Sequence, residues 1–141
     1  MSNARITVFT PAYNRAHTLP RTLESLIKQE NKNFKWLIVD DGSADNTQEL
    51  ISEWINEKNN FNIRYYKKEN GGKCRAINYA LDLAQGELFF TVDSDDYLTD
   101  DAIEKVLMWF EQIDNEKIVG IVANRGYTSN KTSNYLFKEN V

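Results

Sequence analysis

Short apolar runs alternate with helix-spaced stripes along residues 5–123, and this alternation limits the possible folds more than any other feature. The runs Arg5–Thr10, Phe34–Asp40, Asn62–Lys67, Glu87–Val92 and Lys117–Ala123 are β-branched or aromatic and mostly apolar, as strands covered on both faces are. Between them, four groups recur at helical spacing: Leu19, Leu23, Leu26 and Ile27; Leu50, Ile51, Trp54 and Ile55; Ala76, Ile77, Ala80, Leu81 and Ala84; Ile103, Val106, Leu107 and Phe110. Strand–helix alternation demands crossovers, which are right-handed and yield a largely parallel sheet. The expected class is α/β, a mostly parallel sheet with helices on both faces. Asp45-x-x-Gln48 has the form of a capping box, Thr99 or Asp100 can cap the fourth helix, and Gly86 stands where a positive φ is wanted after the third.

A chain of 141 residues is one ordinary domain, and buries about 68–70% of its unfolded surface without help from disulfides. A single Cys excludes an internal disulfide and a cysteine-based zinc cage. With 17 basic and 21 acidic side chains and a net charge of −4, nucleic acid is not an expected partner. No apolar run is long enough to span a bilayer. Met1 to Thr10 lacks the pattern of a signal peptide, so the cytoplasm is the expected compartment. From Asn124 the chain turns polar and loses its period, apart from Tyr135-Leu136-Phe137, which divides it into a core, 1–123, and a tail, 124–141.

Open α/β sheets bind ligands beyond the carboxyl ends of their strands. Pro11-Ala12-Tyr13-Asn14-Arg15 follows the first run, Asp40-Asp41-Gly42-Ser43 ends the second, Asn70-Gly71-Gly72-Lys73 follows the third and Asp93-Ser94-Asp95-Asp96 the fourth. All four polar clusters are thereby expected at one sheet edge. Carboxylates about 4 Å apart repel by about 4 kcal/mol at an effective dielectric of 20, and no Lys or Arg lies between Arg75 and Lys105 to offset Asp93, Asp95 and Asp96. A divalent cation with oxygen ligands, Mg²⁺ or Mn²⁺, fits there and brings phosphate oxygens with it. Turn formation and helix capping are the other use of such Asp residues, and the better one for Asp100 and Asp101.

Paired glycines at a helix start let N–H groups approach an anion, and Lys73 adds a full charge, so Gly71-Gly72-Lys73 reads as either a phosphate contact or an Asn-Gly turn. Asp41 can accept from a uracil or guanine ring N–H or from ribose hydroxyls, and Tyr13 can stack on a base; a turn Asp and a packing Tyr are the alternatives. His17 is expected to be exposed or capping, Cys74 to be a buried or semi-buried thiol, and the Phe and Trp residues to be core. No Gly-x-Ser-x-Gly elbow supports serine hydrolase chemistry.

Taken in order, Thr10-Pro11-Ala12-Tyr13-Asn14-Arg15, Val39-Asp40-Asp41-Gly42-Ser43, Asn70-Gly71-Gly72-Lys73 with Ala76 and Asn78, and Asp93-Ser94-Asp95-Asp96 resemble a family 2 glycosyltransferase of the GT-A fold over roughly residues 5–123. The resemblance implies transfer of a sugar, with inversion, from a nucleotide diphosphate donor, most often a UDP-sugar, to an acceptor hydroxyl. Pro11, Ala12, Tyr13 and Asp41 would hold the nucleobase, Gly72 and Lys73 would lie near the nucleotide, and Asp93-Ser94-Asp95 matches the DxD motif. Asp93 would then face ribose or metal, and Asp95 would coordinate Mn²⁺ or Mg²⁺. A glycan or lipid-linked acceptor in polysaccharide biosynthesis, and a position at the inner face of the membrane for the full-length protein, are further implications.

The departure lies past Ala123, where family members continue into an acceptor half that supplies the carboxylate base. Only Glu139 is acidic there, without a matching context. The expectation is a donor site without a catalytic residue of its own, truncated before the acceptor half. A Mg²⁺-dependent phosphotransfer domain and a non-catalytic nucleotide-binding fragment remain as alternatives, the former disfavoured because the paired Asp follows the second run rather than the first.

Overall fold

The structure is a computed structural model and describes residues 3–113. Its strands are β1 (Ile6–Ala12), β2 (Phe34–Asp40), β3 (Asn62–Lys67) and β4 (Leu88–Thr91), alternating with the helices α1 (Leu19–Ile27), α2 (Thr47–Asn56), α3 (Lys73–Leu83) and α4 (Ala102–Glu111). The sheet order is β3-β2-β1-β4 with every pairing parallel. The second and third expected strands have the bounds anticipated, β1 runs two residues further, and β4 is shorter by one residue at each end. The fifth expected strand, Lys117–Ala123, and the segment 124–141 with Glu139 lie outside the described residues. The sheet belongs to a compact unit ending at Lys105, and a second begins at Val106. Among the described residues, no helix is long and apolar enough to cross a membrane.

Helices cover both faces, as the unbroken apolar strands require. On one face Phe9, Leu37 and Val39 pack against Ala76 and Ala80 of α3, whose small side chains allow close approach. On the other, Trp36 stacks on Trp54 of α2 at 6.1 Å and donates its Nε1–H to Thr10 Oγ1 at 2.9 Å. Ile27, Ile55 and Leu81 were expected in the buried stripes but stand exposed. Each is a shoulder position, one residue past a buried one, and the buried face is narrower than the apolar pattern. The aromatic residues are not all core either: in the second unit Trp109 is 38% exposed.

The strand order sets the site. From β1 the chain steps outward to β2 and β3, then returns to the opposite side of β1 for β4, so the order reverses between β1 and β4. Pairing of β1 with β4 stops at Phe9, whose carbonyl accepts from the Val92 N–H at 2.8 Å, while pairing with β2 continues to Ala12. Pro11, two residues past Phe9, faces the same side beyond the end of β4, where its missing N–H breaks no ladder bond. The sheet therefore opens between β1 and β4.

The capping expectations are met in part. The N-cap is Asn46, without a side-chain cap; Asp45, one residue earlier, accepts from the Thr47 N–H at 3.1 Å and Gln48 binds Lys67 instead of reaching back, so the expected capping box does not form. Neither Thr99 nor Asp100 caps α4 with its side chain; Gln29 Oε1 accepts from the Ile103 N–H at 3.0 Å. Gly86 has the anticipated positive φ of 90°, for a different reason. The helix has already ended at Leu83, and a Cβ on Gly86 would stand 2.6 Å from the carbonyl oxygens of Ala4 and Arg5.

Candidate functional site

A cleft of about 350 Å³ lies at the carboxyl edge of the sheet, within the size range of small-molecule sites, about 300–1,000 Å³. Pro11, Ala12 and Tyr13 leave β1 along one side, and Asp93, Ser94 and Asp95 leave β4 along the other. Asp41 from the end of β2 and Lys73 and Ala76 from the start of α3 complete it. Every residue to which the family resemblance gives a binding role is thus brought to one place except Gly72, which does not line the cleft. Arg15 does line it and was missed as a site residue. The signal was its charge, directly after Tyr13-Asn14 at the edge where the other clusters meet.

Three carboxylates crowd the turn after β4. One oxygen each of Asp93, Asp95 and Asp96 lie within 4.8 Å of one another. The absence of a basic residue in the adjacent sequence suggested that these charges had no protein counter-ion, and that is corrected here. Lys73 Nζ lies 2.7 Å from Asp93 Oδ1, delivered across the cleft by the start of α3. An all-oxygen, partly exposed donor set of this kind suits a hard divalent cation. Oxygens bound to one such ion at about 2.1 Å stand at most about 4.2 Å apart, so small side-chain rotations bring these groups into range.

Asp41 and the glycine pair bind each other. Asp41 is 7% exposed, and its Oδ1 accepts from Lys68 Nζ at 2.6 Å and the Gly71 N–H at 2.9 Å, while Oδ2 accepts from the Gly72 N–H at 2.9 Å. Burial pushes the Asp41 carboxyl up, but the bonds from Lys68, Gly71 and Gly72 outweigh it and hold the group below its ordinary value. The two N–H groups expected to face a phosphate are therefore turned to an internal carboxylate, and this correction applies to Gly72 in particular. Lys73, the next residue, carries its ammonium into the cleft.

The loops beneath the site are locked together. Asn14, with φ of 51°, donates its N–H to Ser43 Oγ at 2.9 Å and accepts from the Ala44 N–H at 2.7 Å. Asp40, fully buried, accepts from the Ser43 N–H at 2.8 Å and from the Tyr65 hydroxyl at 2.5 Å. Burial, with the Asp40 carboxylate beside it, raises the Tyr65 phenol well above its ordinary range. Tyr13 remains half exposed above this base, with its ring available to a flat ligand. His17 is exposed, as expected; Cys74 is exposed rather than buried, since it sits in the first turn of α3 away from the Ala76–Ala80 stripe.

A parallel sheet with a polar cleft at its switch point defines an α/β domain of the nucleotide-binding kind. The chain belongs to glycosyl transferase family 2, whose family model matches residues 7–139. Chondroitin synthase of Pasteurella multocida is 36% identical over 129 residues, covering 92% of this chain and 12% of the relative. Staphylococcus aureus TarS, solved in complex with UDP-GlcNAc, superposes with a TM-score of 0.69 at 30% identity, over 77% of this chain and 31% of that one. The mannosyltransferase PcManGT of Pyrobaculum calidifontis, solved with GDP-Man and Mn²⁺, gives a TM-score of 0.71 at 26% identity, over 75% and 32%. The chain thus spans about a third or less of the length of these proteins, and its architecture is that of the GT-A transferases.

Proposed function

We propose that this chain forms the donor-binding part of an inverting glycosyltransferase that moves a sugar from a UDP-sugar to the hydroxyl of a glycan or lipid-linked acceptor. The observation that carries the reading is the meeting of four separate sequence clusters at one switch-point cleft, with a carboxylate group facing a cationic side chain. The complex of TarS with UDP-GlcNAc supports the donor class, and the Mn²⁺ complex of PcManGT supports a divalent cation.

In this reading Tyr13 stacks on the base, the Pro11–Ala12 backbone borders it, and Asp41 supplies an acceptor for a ring N–H. Lys73 holds a phosphate oxygen, Ser94 and Asp93 border the ribose and diphosphate, and Arg15 adds positive charge at the mouth. Asp93 and Asp95 hold Mn²⁺ or Mg²⁺, with Asp96 as a third oxygen donor. When bound, that ion neutralises charge developing on the leaving diphosphate. The carboxylates lining the cleft, Asp41, Asp93 and Asp95, all have donor-side roles, so the acceptor's base comes from outside residues 3–113.

Calorimetric titration with UDP and with GDP, each with and without Mn²⁺, tests the reading. UDP binding strengthened by Mn²⁺ is expected, and a chain that binds neither nucleotide in either condition refutes it. The 141 residues alone are expected to bind donor without efficient transfer; rapid sugar transfer by this chain would place the base within it.

A further inference from the structure

The buried face of α1 carries a stripe that the donor-site reading does not use. Thr22 and Ser25 lie on a helix whose other buried positions are Leu19, Leu23 and Leu26, and Gln29, two residues past its end, continues their spacing of three and four. All three polar residues are buried, Thr22 completely. Burying such groups without partners is costly, so the partners they find are informative.

The Ser25 hydroxyl stays within the helix, donating to the Thr22 carbonyl at 2.8 Å, but Thr22 and Gln29 reach main-chain groups of the segment after β4. Thr22 Oγ1 donates to the Asp96 carbonyl at 2.7 Å, and Gln29 Nε2 to the Thr99 carbonyl at 2.6 Å. Next to Thr22, Arg21 donates from Nη2 to the Asp95 carbonyl at 3.1 Å, with its guanidinium 4.6 Å from the centre of the Tyr97 ring. The Glu30 N–H takes the Asp100 carbonyl at 3.1 Å. At its other end the segment is tied to β1 through Val92, and the Asp96 N–H closes the turn onto the Asp93 carbonyl at 3.0 Å. A stretch without regular structure is thereby held from behind, through carbonyls that include those of Asp95 and Asp96.

We infer that Arg21 and Thr22 are positioning residues for the cation site, an inference that rests on the donor and metal reading above. Neither side chain touches the cation. By gripping the Asp95 and Asp96 carbonyls they fix the turn so that the carboxylates of Asp93, Asp95 and Asp96 converge on the cleft. Groups that orient metal ligands from behind commonly contribute 10–100-fold to affinity, and a main-chain grip belongs at the lower end of that range.

The test measures Mn²⁺ affinity of the full chain in the presence of UDP, from loss of the free-ion electron paramagnetic resonance signal, alongside the thermal midpoint. Thr22→Val keeps the shape and removes the donor, and is expected to weaken Mn²⁺ binding about tenfold. Thr22→Ser, which restores a hydroxyl, is expected to recover most of that loss. Arg21→Ala, at an exposed position, is expected to weaken it several-fold with little change in midpoint, and keeps the question open to test if Thr22→Val does not fold. Thr22→Val or Arg21→Ala with a wild-type Mn²⁺ affinity, or a Thr22→Val whose only change is a lower midpoint, overturns the inference while leaving the donor reading in place. A wild-type chain that takes up no Mn²⁺ with UDP overturns both.

Discussion

Replacing Lys73 by Met separates two roles that the proposed function gives to a single ammonium in turn. In the structure Lys73 Nζ lies 2.7 Å from Asp93 Oδ1, an oxygen that the proposed function gives to the cation, so in that reading the lysine competes with it. The pair is partly exposed, with side chains 56% and 30% accessible, and such ion pairs contribute roughly 0–1 kcal/mol. Lys73→Met should therefore tighten binding of Mn²⁺ alone by up to about fivefold. In the same reading, a cation on Asp93 would free the ammonium to meet the diphosphate, and a charge-assisted contact of that kind contributes roughly 1.5–3 kcal/mol. UDP affinity at saturating Mn²⁺ should then fall by roughly 10- to 100-fold in the variant. The opposite signs are diagnostic, because general damage to the cleft weakens both. Mn²⁺ titration followed by electron paramagnetic resonance, and UDP calorimetry at saturating Mn²⁺, measure the two quantities separately. A variant that binds Mn²⁺ alone more weakly than wild type, or UDP equally well, refutes the exchange.

Three further outcomes follow from contacts outside the cation site. Gln29→Met should lower stability by about 2–4 kcal/mol in urea unfolding, because the Ile103 N–H and the Thr99 carbonyl lose their buried partner; a change below about 0.5 kcal/mol would show that water replaces the amide. Gly86→Ala should destabilise by at least about 1–3 kcal/mol, since φ is 90° and the added carbon meets two backbone oxygens. Asp41 has a folded pKa below its ordinary value, so it contributes stability at neutral pH that is lost as pH falls below about 4 and through the lowered pKa. Acid unfolding followed by circular dichroism should show a shallower loss of stability in that window for Asp41→Asn, which has no carboxylate to protonate.

What the sequence made legible and what it hid divide along a physical line. Strand and helix positions depend on periodicity within a few residues, and Phe34–Asp40 and Asn62–Lys67 could be read off directly. The convergence of the clusters on one edge was legible too, because parallel pairing carries every strand's carboxyl end to the same side. The partners were not legible. Lys73 meets Asp93 across 20 residues, Asp41 takes the N–H groups of a glycine pair 30 residues on, and Gln29 caps a helix 74 residues away. In each case the sequence showed a group in need of a partner, an acid cluster, an anion-binding turn or an uncapped helix, and the local reading assigned that partner to a ligand or a neighbouring residue. The fold instead satisfies these groups from elements distant in sequence that the sheet brings side by side. Gly72 is held by Asp41 away from the cleft, whereas Lys73 lines it, and with no ligand bound its ammonium is met by the opposite charge of Asp93 on a neighbouring loop. Under the proposed function, ligand binding at this cleft is an exchange of partners at Asp93, whose strength is set by how well the internal pair competes.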